Sequence, residues 1–157
     1  MMKKISRLLV IGCLLFATAV KAQEPAWDTM FVAKGPLPDG MIFLPSPGMG
    51  VLEGSDNLVE IRSRKGSIYN MQDATVVRIF AVEGTLSVVL RTIKDEYYVY
   101  SNLATVCPSV GEEVAAGVHL GECLTDNEGW FVLELAKSEK DKFLSKAEVM
   151  KMLWLLD

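Results

Sequence analysis

From Leu58 onward, short apolar runs alternate with polar breaks. Leu58 to Arg62, Ala74 to Val82 and Leu86 to Thr92 are rich in Val, Ile and Leu, and are bounded by Lys65-Gly66, Glu83-Gly84 and Lys94-Asp95-Glu96. Runs of this length between turn residues read as strands, and several in succession predict an all-β core. Phe131 to Leu135 supplies a final strand. After Lys137 the pattern changes. Ser145-Lys146-Ala147-Glu148 is a capping box, in which Ser145 and Glu148 satisfy free helix N–H groups, and apolar residues follow through Leu156. The segment 138–157 is therefore expected to hold a short C-terminal helix that packs on the β domain.

The stretch Tyr97 to Leu124 carries the most specific punctuation. In Val110-Gly111-Glu112-Glu113-Val114-Ala115-Ala116-Gly117, each glycine permits a tight turn at positive φ, while Val114 between them can point into a core. A strand ends at the first glycine, a valine-centred segment crosses, and a new strand opens after the second. Such spacing suits a compact barrel-sandwich fold. Residues 23–50 are punctuated by Pro25, Gly35-Pro36, Pro38, Gly40, Pro45, Pro47-Gly48 and Gly50, a density that excludes a helix and allows only short extended pieces such as Met41 to Leu44. This Pro/Gly-rich arm carries Trp27, Met30, Phe31 and Phe43, too much apolar surface for a free tail, so parts of it should dock on the domain at 51–137.

The first twenty-two residues read as a secretory signal peptide. Lys3, Lys4 and Arg7 form a basic start, Leu8 to Val20 an apolar run, and Val20-Lys21-Ala22 a small-residue cleavage site. The apolar run is too short to cross a bilayer, so export to the periplasm or the exterior is expected, without membrane contact after cleavage. Val10-Ile11-Gly12-Cys13 also passes for a lipoprotein box, although the apolar run continues well past Cys13. The leader holds four of the sixteen basic residues and no acid; without it, twelve basic residues face twenty acidic ones, a formal charge of −8. A surface this acidic disfavours nucleic acid and anionic lipid. Cys107 and Cys123 flank the glycine–valine–glycine segment in an oxidising compartment, which makes them a candidate disulfide. Two separate buried thiols are the alternative.

The run Val88 to Leu124 and its flanks resemble the lysostaphin-type (LytM-like) zinc endopeptidases that cut peptidoglycan cross-bridges. That family's Tyr-x-His-Leu, Val-x-x-Gly-x-x-Val-x-x-Gly and His-x-His segments follow in the same order here, as Tyr100-Ser101-Asn102-Leu103, the glycine pair with Leu120-Gly121, and Trp130-Phe131-Val132. The resemblance covers residues 56–135. It implies a mainly β, barrel-sandwich hybrid fold with a duplicated hybrid motif. It fails where the family does chemistry. Asp56 and Glu60 stand at the His-x-x-x-Asp positions, Asn102 at the histidine of Tyr-x-His-Leu, and Trp130 and Val132 at the two of His-x-His. A zinc hydrolase needs ligands that leave one position open for an activated water. The single histidine, His119, falls where the family has an apolar residue and reads as a strand residue rather than a ligand.

Asp56, Glu60, Asn102, Trp130 and Val132 therefore define a candidate binding groove with no catalytic, metal or cofactor role assigned. Trp130 either anchors a partner there or fills the former site as core. Val149-Met150-Lys151-Met152 imitates a biotin-acceptor tripeptide, but Lys151 falls inside the predicted helix rather than on a hairpin, so no biotin is expected. Two function classes remain. One is a non-catalytic LytM-like envelope module that binds or regulates peptidoglycan, a wall peptide or a peptidoglycan hydrolase. The other is an enzyme of zinc-independent chemistry in which Asp56, Glu60, Asn102 and His119 converge.

Overall fold

A computed structural model of the chain describes residues 28–32, 35–44 and 57–155. The expected leader with Cys13, Trp27 and the groove candidate Asp56 lie outside the described residues. The strands are β1 (Asp28–Val32), β2 (Gly40–Leu44), β3 (Val59–Ser63), β4 (Ser67–Tyr69), β5 (Ala74–Val82), β6 (Thr85–Thr92), β7 (Tyr97–Val106), β8 (Glu113–Val114), β9 (His119–Thr125), β10 (Phe131–Glu139) and β11 (Lys142–Phe143), followed by the helix α1 (Lys146–Trp154). Among the described residues they make one antiparallel sheet in the order β1-β2-β3-β10-β9-β7-β6-β5-β8, with β4 on β9 and β11 on β10. β7 also pairs with β10, so the middle of the sheet folds across itself.

The turn chemistry places the strands. β5 and β6 join through Glu83-Gly84, with φ of +49° and +82°, a turn whose twist matches that of its strands. Gly111 and Gly117 take φ of +89° and +82° on either side of β8, and Val114 between them is buried. Asn70 pins this crossing. Its buried side-chain amide donates to the Val114 and Ala115 carbonyls at 3.0 and 3.3 Å, and its main-chain carbonyl accepts from Gly117 N–H at 2.7 Å.

The core lies between the folded halves of the sheet. Val59, Ile61, Ile68, Leu90, Tyr100, Leu103, Leu133 and Leu135 are fully buried, each contributing about 1.5–3 kcal/mol relative to exposure. Part of the arm packs on the domain. Leu37 and Ile42 are fully buried, and β2 joins β3 at Met41 opposite Arg62. The capping box forms as expected at Ser145 and Glu148, and α1 buries Val149 and Leu153.

The stretch before α1 differs from the sequence expectation, because β10 runs on to Glu139 and β11 follows it. Lys137 explains the difference. It lies on the core-facing row with Leu133 and Leu135, where its ammonium meets Glu139 at 2.6 Å and Glu96 at 3.5 Å and sits 5.3 Å from the Tyr98 ring centroid. A charged side chain hidden by two acids and a ring interrupts the apolar pattern without interrupting the strand.

Candidate functional site

Alternation along β10 sends Leu133 and Leu135 into the core and turns Val132 and Glu134 to the opposite face. Register then fixes their neighbours. Val132 faces Arg62 and Glu134 faces Glu60 on β3, while Glu134 faces Ser101 on β7. Three adjacent strands thus bring Glu60, Val132 and the Ser101-Asn102 pair to one face, on which Val132 itself is buried.

Asn102 sits in a β-bulge. Leu86 pairs with Leu103 but Val88 with Tyr100, so Ser101 and Asn102 together oppose Ser87, and the two serine hydroxyls bond at 2.9 Å. Asn102 takes φ of +63°, a left-handed conformation that Asn tolerates, and its amide donates to the Val132 carbonyl at 2.7 Å. The extra residue shifts the alternation, which is how Tyr98, Tyr100 and Leu103 can all be buried on one strand. Burial pushes the Tyr100 phenol up, and its hydroxyl accepts from Met71 N–H at 3.3 Å.

Trp130, just ahead of β10, is half-buried and belongs to an aromatic and guanidinium ledge. The Arg64 guanidinium lies 3.7 Å from its ring centroid, and Phe43 meets it edge-on at 6.0 Å and 79°. Arg62 lies 5.8 Å from the Phe43 centroid. One carboxylate holds the ledge together: Asp126 Oδ1 accepts the backbone N–H groups of Glu128 and Trp130, both at 2.9 Å, while Oδ2 accepts from Arg62 at 3.2 Å. The other arm of Arg62 reaches Glu60 at 3.4 Å. Burial, and then the Glu60 charge across the strands, raises the Glu134 carboxyl above the usual range.

Four of the five groove candidates, Glu60, Asn102, Trp130 and Val132, therefore fall on neighbouring elements, and Asp56 lies outside the described residues. Phe43, Arg62, Arg64, Asp126 and Glu134 complete the surface and were missed. Period-two alternation from Glu60 to Arg62 and Arg64 was the available signal, but only the register shows that this row meets Trp130. Of the candidate residues described, Glu60 alone offers an anionic donor, and it is paired with Arg62. The Asn102 amide is committed to a carbonyl, and Val132 has no lone pair to give. Among the described residues no three His, Cys, Asp or Glu side chains are gathered to hold an ion.

The candidate disulfide is corrected by the register. Cys107 N–H bonds the Leu120 carbonyl, whereas Cys123 faces Leu103, which sets the two cysteines three positions, roughly 10 Å, apart along paired strands. A disulfide requires Cα atoms within about 7 Å, and both cysteines are free thiols in the structure. Cys107 is exposed; burial, with the Glu122 charge beside it, pushes the Cys123 thiol up to about 12. His119 does not converge with Glu60 and Asn102. Its ring nitrogens face Cys107 and Glu122 on another part of the sheet. Lys151 lies within α1.

These features define a lysostaphin-like fold: an open, mainly β antiparallel sheet with one short C-terminal helix. The structure is similar to the crystal structure of CbpA from L. salivarius REN, with a TM-score of 0.53 and 14% identity over 82% of this chain and 90% of that one. It is also similar to the NMR solution structure of lysostaphin, with a TM-score of 0.55 and 14% identity over 82% of this chain. The match spans 52% of the lysostaphin chain, about half its length. At this identity the likeness is one of fold. No family model matches the sequence, and no curated protein matches it. Among the described residues, no helix is long and apolar enough to cross a membrane.

Proposed function

We propose that the chain is a non-catalytic, exported protein of the cell envelope that binds or regulates peptidoglycan or a peptidoglycan hydrolase through the Trp130 ledge. The lysostaphin-like fold and the sequence resemblance to cell-wall endopeptidases support the setting. The observation that carries the reading is the half-buried Trp130 beneath Arg64, where the endopeptidases have a histidine. A ring flanked by Phe43 and two guanidinium groups offers an apolar face with cationic edges. Such a surface suits a short peptide that carries carboxylates, as wall stem peptides do. Aromatic and arginine side chains at such sites carry much of a contact's energy.

The test is Trp130→Ala in sedimentation with purified peptidoglycan sacculi. Capture should weaken by roughly tenfold or more, the scale of an anchor residue. Fold stability should drop by only about 1–2 kcal/mol, since Trp130 is half-buried. A core Trp lost to Ala costs about 3–5 kcal/mol, and a loss of that size with unchanged capture would retire the ledge as a binding site. One observation favours a second reading, an enzyme of zinc-independent chemistry in the same groove. Glu134, with its carboxyl pushed up beside Glu60, is a candidate proton donor, and Glu134→Gln would abolish any activity it supports.

A further inference from the structure

Cys107, His119 and Glu122 form a connected row away from the Trp130 ledge, sharing none of its residues. Cys107 Sγ lies 3.6 Å from His119 Nδ1, and His119 Nε2 lies 3.1 Å from Glu122 Oε1. Ser67 Oγ donates to the same carboxylate oxygen at 2.6 Å, and the Tyr69 ring lies 5.6 Å from the imidazole. A carboxylate only accepts, so the contact with Glu122 suits the tautomer with its hydrogen on Nε2, which leaves Nδ1 to accept from the Cys107 thiol. The two ring nitrogens face opposite ways, so thiol and carboxylate cannot share one metal ion with this histidine. The row is instead a nucleophile, a base and a group that orients the base.

The fold builds this row by a local irregularity. On a regular strand, residues 119 and 122 would face opposite sides. Ile68 pairs with Gly121 but Tyr69 with His119, so Leu120 is an extra residue in β9, and the phase shift brings His119 and Glu122 to the same face. Gly121 lets β7 approach closely enough to present Cys107, because a Cβ there would stand 2.0 Å from the Thr105 carbonyl oxygen.

We propose that Cys107 is a base-activated thiol that exchanges with low-molecular-weight disulfides, making this exposed row a site of reversible S-thiolation. His119 Nδ1 takes the Cys107 proton and the thiolate attacks one sulfur of the incoming disulfide. The new S–S bond to Cys107 forms as the old S–S bond breaks, and the departing thiolate takes the proton from His119. No further oxidant or reductant is consumed. The thiol and imidazole are both exposed, which admits the reagent. Cys123 is buried and roughly 10 Å away along the paired strands, so it cannot resolve the mixed disulfide, and the adduct persists until an external thiol removes it.

The experiment measures the reaction of the reduced full chain with dithiobis(nitrobenzoate) from pH 6 to 9, with Cys107→Ser subtracting the contribution of the other thiols. Glutathione disulfide followed by peptide mass spectrometry locates the adduct. An ordinary thiol is only a few per cent ionised at pH 7. Cys107 should therefore react about tenfold faster at pH 7 in the wild type than in His119→Ala, with the gap closing toward pH 9. Glu122→Gln, which keeps the side chain's shape, should also slow the reaction at pH 7 and serves as the second variant. Equal rates and equal pH profiles in wild type and both variants, or an adduct found on Cys123, would overturn the proposal.

Discussion

Replacing Gly121 with alanine tests how tightly β9 is held between its neighbours. Gly121 pairs with Ile68 on one side and Val106 on the other. An added Cβ would stand 2.0 Å from the Thr105 carbonyl oxygen, 2.9 Å from its carbon and 3.2 Å from Val106 Cα. All three are backbone atoms, so no rotamer change relieves the clash and β7 must move away from β9. Overpacking that side chains can absorb costs about 1–3 kcal/mol, and a backbone clash belongs at the upper end or beyond, about 3 kcal/mol. For a domain near a hundred residues that lowers Tm by roughly 10–20 °C. Gly117→Ala is the control, since its φ of +82° is costly for alanine but nothing lies within 4 Å of the added atom. It should cost about 1–2 kcal/mol. Thermal melts of both variants by circular dichroism decide the matter. If Gly121→Ala melts no lower than Gly117→Ala, the close approach of β7 is not a determinant of this fold.

Two further predictions concern the ledge and its supports. The Glu134 carboxyl is raised in the folded state, so its charge costs stability as pH rises from the ordinary glutamate range through the folded value. Glu134→Gln should therefore stabilise the fold by about 0.2–1 kcal/mol at pH 7, the scale of a like-charge cross-strand pair, and the gain should vanish near pH 4; denaturant melts at the two pH values check this, and an equal gain at both would trace it to packing. Asn102→Ala loses both the bond to Val132 and the residue's tolerance of φ +63°, whereas Asn102→Gly loses only the bond. The alanine variant should be the less stable by about 1 kcal/mol in the same melts, and the reverse order would mean that the bulge is not what Asn102 supports.

Much of the fold was legible because its signals are local. β5 coincides with the Ala74–Val82 run, the Glu83-Gly84 turn and the Ser145–Glu148 cap form where their residue types require, and the two glycines bracket a buried Val114. The end of β10 was not legible, since Lys137 is buried by partners distant in sequence, Glu96 and Tyr98. The site was half legible. Spacing brought Asn102, Trp130 and Val132 together, but Arg64 stacking on Trp130 depends on a pairing between chain segments that no short pattern encodes. The cysteine pair was misjudged for the same kind of reason. Symmetric flanking of a turn segment suggested facing thiols, and the bulges in β7 and β9 set the register differently. Those irregularities also made the Cys107, His119 and Glu122 row invisible, because period-two reasoning puts residues 119 and 122 on opposite faces.

A lysostaphin-like fold that holds a wall partner without cutting it has a direct signature: purified peptidoglycan sacculi are incubated with the zinc-loaded protein, and pellet and supernatant are analysed. The protein is expected to sediment with the sacculi while no muropeptide appears in the supernatant, because the sequence resemblance puts Val132 and Asn102 where the endopeptidases place histidines. Muropeptides released in the presence of zinc, and no longer released when a chelator is added, would contradict it.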